Sequence, residues 1–104
     1  MRARHELVEV LRQAQALLAL PDNDFTWSSW ENSHAALAEL ERQVAVIEDG
    51  QLPQRLDLAV LFAPTGPMQE VSLSSGWAQE FLVLAARFDA AALRVYAPGS
   101  DATA

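Results

Sequence analysis

The stretch that decides the fold class is WAQEFLVLAARFDAAALRVY, residues 77–96. Its apolar residues recur every three or four positions and form one stripe along a helix: Trp77, Phe81, Leu84, Ala85, Phe88, Ala92 and Val95. This spacing predicts an amphipathic helix that begins near Ser75 and runs to about Tyr96. Pro98 and Gly99 then end the helix, and residues 98–104 are expected to form a frayed tail.

Two more helices are predicted before this stretch. The first covers residues 3–20, where leucine and alanine recur at positions 7, 11, 14 and 18, and Pro21 begins a turn that ends it. The second begins with a capping box, in which Ser28 caps the free amides and Glu31 reaches back to the cap. Its apolar seam consists of Trp30, Ala36, Leu37, Leu40, Val44 and Ile47, and Asp49-Gly50 ends the helix.

The region between the second helix and the last one allows two interpretations. Pro53 can open a helix, and residues 54–63 are apolar nearly all round, which favours a short buried helix. A buried strand is the alternative, because the apolar residues also alternate. Val71 and Leu73 alternate with serines, so residues 68–73 fit a short extended segment that cannot found a sheet. The sequence therefore predicts an all-α single domain of four helices over residues 1–97.

The composition limits the class of protein. The chain has 104 residues, of which 51% are hydrophobic and none is cysteine. A disulfide scaffold and a cysteine-ligated zinc site are therefore excluded, and the apolar half of the chain argues against disorder. No apolar run approaches the roughly 20 residues that span a bilayer, and the N-terminus lacks a signal-peptide core. A cytoplasmic protein is therefore expected.

The net charge of −7 is concentrated in the middle of the chain. Residues 21–57 contain eight acids and two arginines, which leave a net charge of −6. An acidic segment repels phosphate groups, so binding to nucleic acid or to an anionic membrane is not expected. A basic protein partner is permitted. The alternative is a solvated surface that serves solubility alone.

No catalytic or metal-binding motif is complete in this sequence. Glu31 and His34 have the Glu-x-x-His spacing of a di-iron ligand pair, but the further ligands of such a site are missing, and the other histidine, His5, has only Glu9 nearby. The serines lack a nucleophile elbow, and the four glycines form no phosphate-binding loop. We therefore expect no enzyme and no cofactor, with a metal-dependent enzyme using Glu31 and His34 as an alternative.

The candidate binding residues are one aromatic and five acidic side chains in and around the turns that flank the second helix: Asp22, Asp24, Trp27, Glu31, Glu48 and Asp49. Trp27 precedes the predicted cap, so the favoured interpretation is a hydrophobic staple that packs onto the first helical turns. The alternative is an exposed aromatic anchor, of the kind that dominates protein interfaces. Trp30 and Trp77 lie on apolar stripes and are expected in the core.

Phe62, Gly66 and the run Gln69-Glu70-Val71 form the pattern Phe-x-x-x-Gly-x-x-Asn/Gln-Asp/Glu-Leu/Val. With this pattern, the chain from about Trp27 to Leu73 resembles a family of small uncharacterised bacterial proteins. Ala63-Pro64 and Pro67 stand where that family has paired glycines and a serine.

Small acidic members of this family resemble immunity proteins of bacterial toxin systems. The resemblance, together with the acidic middle segment, implies a non-enzymatic protein-binding module. Specifically, it implies an immunity protein that neutralises a toxin by binding a basic domain of that toxin. A homo-oligomeric structural protein, such as a homodimer, is the alternative.

Overall fold

Helices make up the regular secondary structure of residues 2–96, the part of the chain that the computed structural model describes. They are α1 (Arg2–Leu18), α2 (Ser33–Glu48), α3 (Arg55–Ala59), a 3-10 turn (Val60–Phe62), α4 (Pro67–Ser75) and α5 (Ala78–Val95). Four of these helices have nine or more residues. The prediction of an all-α, four-helix domain is confirmed for these residues. The predicted tail, residues 98–104, lies outside them.

Helix α1 packs against both α2 and α5. Both of these helices run antiparallel to α1. For α5 the direction follows from its neighbours, since Glu80 lies beside Leu17 and Arg94 lies beside Arg2. The face of α1 that these contacts cover recurs every three or four residues, as predicted, and is fully buried: Leu7, Val10, Leu11, Ala14 and Leu18.

One ion pair joins α1 to α2, and another joins α1 to α5. Arg87 on α5 lies 2.9 Å from Glu6 on α1, and Arg12 on α1 lies 2.7 Å from Glu41 on α2. Hydrogen bonds from Arg12 and then Gln15 hold the pKa of the Glu41 carboxyl below its usual range. Because these side chains are partly exposed to water, which screens their charges, the buried apolar face of α1 contributes most of the stability.

The start of α2 differs from the predicted capping box. The helix begins at Ser33, and its cap is Asn32, whose Oδ1 accepts a hydrogen bond from the N–H of Ala35 at 2.9 Å. Ser28 is held elsewhere, because its hydroxyl donates to the carbonyl of Pro67 at 3.0 Å. The prediction that Ser28 and Glu31 form a capping box is therefore wrong, and residues 28–32 belong to the connection before the helix.

The segment from residue 54 to residue 75 is helical throughout its regular parts. Residues 55–62 form α3 and the 3-10 turn, so the helix interpretation is confirmed over the strand, although Leu56 and Val60 are exposed. The predicted extended segment at residues 68–73 is wrong, because these residues lie in α4. The alternation of Val71 and Leu73 misled the prediction, since only Val71 is buried, beside Met68 and Ser72 at helical spacing.

Two glycines with a left-handed backbone mark the ends of helices, one of them as predicted and the other not. Gly50 follows α2 with φ +89°, the left-handed conformation that the sequence predicts there. Gly76 was predicted near the start of the last helix, but its φ is +86° and it caps the end of α4. Helix α5 therefore begins at Ala78. None of the described helices has both the length and the apolar character that crossing a membrane requires.

Candidate functional site

Four of the six predicted binding residues lie in the connection between α1 and α2, residues 19–32. They are Asp22, Asp24, Trp27 and Glu31, and all four are exposed. These four residues are called the Trp27 surface below. The connection contains no helix or strand, and side-chain hydrogen bonds attach it to the bundle.

Asn23 joins this connection to two helices at once. Its side-chain amide donates a hydrogen bond to the backbone carbonyl of Leu17 at 2.7 Å, at the end of α1. Its Oδ1 accepts a hydrogen bond of 2.8 Å from the indole N–H of Trp77, at the start of α5. Trp77 is buried, so its N–H needs a partner inside the protein, and Asn23 supplies that partner.

Two serines attach the same connection to α4. Besides donating to the carbonyl of Pro67, the hydroxyl of Ser28 accepts a hydrogen bond from the N–H of Trp30 at 3.2 Å. The hydroxyl of Ser75 accepts a hydrogen bond from the N–H of Asp24 at 2.9 Å. The Trp27 surface therefore lies on a connection that is fixed at Asn23, Asp24 and Ser28.

Asp24 also shapes the connection locally. Its Oδ1 accepts a hydrogen bond from the N–H of Thr26 at 2.9 Å. A hydrogen bond with the Thr26 side chain, followed by this backbone hydrogen bond, holds the pKa of the Asp24 carboxyl below its usual range. Asp24 therefore carries its negative charge at neutral pH. The stabilisation that this charge gives the turn is fully present above the pKa that Asp24 has in the unfolded chain. It is lost as the pH falls through the lowered pKa of the folded protein.

Trp27 differs from the other two tryptophans in its exposure. Its side chain is 73% exposed, whereas Trp30 is 6% and Trp77 is 4% exposed. The indole N–H of Trp30 donates to Glu39 at 3.0 Å, and that of Trp77 donates to Asn23. The prediction that Trp27 packs as a hydrophobic staple is therefore wrong, because no helix begins at Ser28 for it to pack on. The exposed position agrees with the alternative interpretation.

Glu48 and Asp49 lie apart from the Trp27 surface. They are exposed at the C-terminal end of α2, whereas Glu31 lies just before its N-terminal end. A helix of 16 residues is about 24 Å long, so the structure does not bring the two groups of acids together. Glu48 lies 3.8 Å from Arg12, whose charge offsets part of its own.

The residues that fix the Trp27 surface were missed in the sequence: Asn23, Ser28, Ser75 and Trp77. The hydrogen bonds that attach the connection to α4 and to the start of α5 join residues 39 to 54 positions apart, and no local pattern reports such pairs. One signal was present. Asn23 stands between two aspartates in a turn, and a tryptophan placed just before an amphipathic helix needs a partner for its N–H.

The residues of the alternative metal site are also placed by the structure. Glu31 is exposed in the connection, His34 is exposed in the first turn of α2, and His5 lines a groove between α1 and the end of α2. Within residues 2–96, no three histidine, aspartate or glutamate side chains lie together in a way that could hold a metal ion.

Comparison with known proteins assigns no family: no protein-family model matches the chain, and neither a curated protein nor a solved structure matches it.

Proposed function

We propose that this protein is a non-enzymatic protein-binding module, an immunity-type protein that neutralises a toxin in the cytoplasm by binding a basic surface. One observation carries the proposal, the 73% exposure of Trp27 on a connection that hydrogen bonds attach to α1, α4 and α5. A tryptophan in water exposes a large apolar area, and a fixed tryptophan of this kind is a frequent centre of protein interfaces.

The fixed backbone around Trp27 favours tight binding. A tryptophan supplies much contact area while only two side-chain torsions are ordered. Because Asn23 and Ser28 already hold the backbone on both sides, little further ordering of the connection is needed when a partner binds. Residues 27–73 resemble a family of small uncharacterised bacterial proteins, and the likeness of its acidic members to immunity proteins supports the same class of partner.

The charge around Trp27 supports a basic partner. Asp22, Asp24 and Glu31 are exposed, and no hydrogen bond or ion pair to a basic side chain involves them within the described part of the chain. Their charges are therefore available to a partner. Carboxylates at the rim of an aromatic contact speed the approach of a positively charged surface.

The first test concerns affinity. We expect a tight complex with a toxin-domain protein encoded beside this protein, and Trp27→Ala is expected to raise its dissociation constant by about tenfold or more, because the central aromatic contact is removed. Calorimetric titration of the purified proteins measures this constant. Leu56→Ala is the matched control, since Leu56 is 71% exposed on α3, away from the Trp27 surface, and should leave the constant unchanged.

Folding of the variant is checked by circular dichroism. Trp27 makes no hydrogen bond within residues 2–96, so its truncation should leave the fold intact. The absence of any complex with the toxin domain, or an equal effect of Trp27→Ala and Leu56→Ala, would contradict the proposal.

The second test concerns the acids beside Trp27. The pair Asp22→Asn and Asp24→Asn is expected to slow association with the toxin domain by roughly three- to tenfold at low salt, because two steering charges are lost. Asparagine at position 24 keeps the oxygen that Thr26 binds. Stopped-flow measurement of the Trp27 emission gives the rate. Glu9→Gln with Asp57→Asn removes the same charge elsewhere, and an equal effect from both pairs would exclude local steering.

A further inference from the structure

The outward face of α5 is apolar, although it faces solvent. Leu82, Val83 and Leu93 are 54%, 62% and 63% exposed, and Ala86 and Ala90 are exposed between them. The other exposed residues of the helix are Gln79, Glu80, Asp89 and Arg94. A surface helix normally presents polar residues to water, so a helix on which five of nine exposed residues are apolar indicates a covering partner.

The outward faces of the other long helices differ from this one. On α1 the exposed residues include Arg2, His5, Glu9 and Arg12, and on α2 they include Glu41, Arg42 and Glu48. These faces have the charged composition of helices that stay in water. The apolar face of α5 is therefore a property of that helix and not of the whole surface.

The spacing on this face is that of a helix that packs against another helix. Gln79, Val83, Ala86, Ala90 and Leu93 follow one another at intervals of four, three, four and three residues. This alternation keeps one seam along a partner helix over the whole length of α5. Ala86 and Ala90 are small, so the backbone of the partner can approach closely at the middle of the seam.

The charges on α5 indicate which helix can lie there. Glu80 and Asp89 balance Arg87 and Arg94, so α5 carries no net charge in a chain whose net charge is −7. Two copies of the protein can therefore meet at α5 without a net repulsion between the two helices. A second copy satisfies this condition because it presents the same neutral, apolar face.

The direction of the second copy follows from the two ends of α5. Glu80 lies near the N-terminal end and Arg94 near the C-terminal end, and neither forms an ion pair with any residue from 2 to 96. Arg87, between them, is directed to α1, where it binds Glu6 and Gln13. In an antiparallel pair, Glu80 of each copy lies beside Arg94 of the other.

We propose that α5 packs antiparallel on α5 of a second copy through this seam, and that the protein is a twofold-symmetric dimer. The dimer does not depend on the Trp27 surface, because the seam contains no residue of the connection at residues 19–32. Its test uses the full chain alone, so failure of the dimer and failure of toxin binding are separate results.

Sedimentation equilibrium of the full chain tests the seam. We expect a dimer at roughly 100 µM, and Ala86→Glu is expected to raise its dissociation constant by about tenfold or more, because a carboxylate would be buried without a partner. Ala86 is exposed in the single chain, so the variant should keep its helical content. Leu56→Glu places the same charge at an exposed apolar site on α3 and should leave the dimer unchanged.

Exchange of the two end charges tests the direction. Glu80→Arg is expected to weaken the dimer about fivefold, because it places two like charges together, and Glu80→Arg with Arg94→Glu is expected to restore it. A parallel pair would place Asp89 beside Arg94, so the exchange would not restore it. A monomer at 100 µM, an equal effect of Ala86→Glu and Leu56→Glu, or no restoration by the exchange would each overturn the proposal.

Discussion

Replacement of Gly66 by alanine is expected to lower the free energy of unfolding by about 3 kcal/mol. A Cβ atom at this position would lie 2.3 Å from the carbonyl oxygen of Val60 and 3.1 Å from that of Ala63. Both oxygens belong to the backbone and are already bound, since Val60 accepts from Ala63 and Ala63 accepts from Gly66. The turn between the 3-10 segment and α4 therefore has to open before the extra methyl group can fit.

Thermal denaturation followed by circular dichroism measures this effect, which corresponds to a fall in Tm of roughly 10–20 °C for a domain of this size. Gly50→Ala is the matched control. A Cβ at Gly50 meets no atom within 4 Å, so only its left-handed conformation, with φ +89°, is penalised, by about 1 kcal/mol. If Gly66→Ala lowers the free energy of unfolding by no more than Gly50→Ala does, the turn accommodates the extra methyl group without cost and the prediction is wrong.

Replacement of Asn23 by alanine is also expected to cost about 3 kcal/mol, through a different physical cause. The substitution removes the hydrogen bond to the carbonyl of Leu17 and leaves the indole N–H of the buried Trp77 without an acceptor. A buried polar group that loses its partner lowers the free energy of unfolding by more than the hydrogen bond had contributed to it. The loss should therefore exceed that of Asn32→Asp, the mild reference, because aspartate at this exposed position keeps the cap oxygen of α2.

A double-mutant cycle with Trp77→Phe isolates this hydrogen bond. Phenylalanine removes the N–H, so the further substitution Asn23→Ala should cost about 1 kcal/mol less in that background than in the original protein. Chemical denaturation of the four proteins supplies the free energies. Equal costs in the two backgrounds would mean that Asn23 and Trp77 do not interact across the connection.

The long helices could be predicted from the sequence because their signals are local. Helices α1 and α5 each repeat apolar residues over more than four turns, and the spacing indicated most of their buried residues. On α5 the prediction missed the buried Ala91 and included Ala85, which is only half-buried. The left-handed conformation of Gly50 after α2 was likewise predicted from the sequence. In these segments the local preference and the tertiary packing agree, which is the condition under which periodicity is reliable.

The other segments could not be predicted because distant contacts decide them. Ser28 has the sequence context of a helix cap, but its hydroxyl binds Pro67, which is 39 positions away. Helix α4 has only nine residues and buries a serine, Ser72, so its stripe is too short and too polar to outweigh an apparent alternation. The wrong prediction that Trp27 packs as a staple followed from the same misplacement of the start of α2.

The packing of α1 against α5 has a consequence for synthesis on the ribosome. The hydrogen bond between Glu6 and Arg87 joins residues 81 positions apart, and about 60 residues separate the two helices. At a translation rate of about 5–20 residues per second, α5 follows α1 after roughly 3–12 s. During that interval α2 can shield one side of α1, because α1 also packs against α2. The nascent chain therefore carries a half-covered apolar helix until α5 is made.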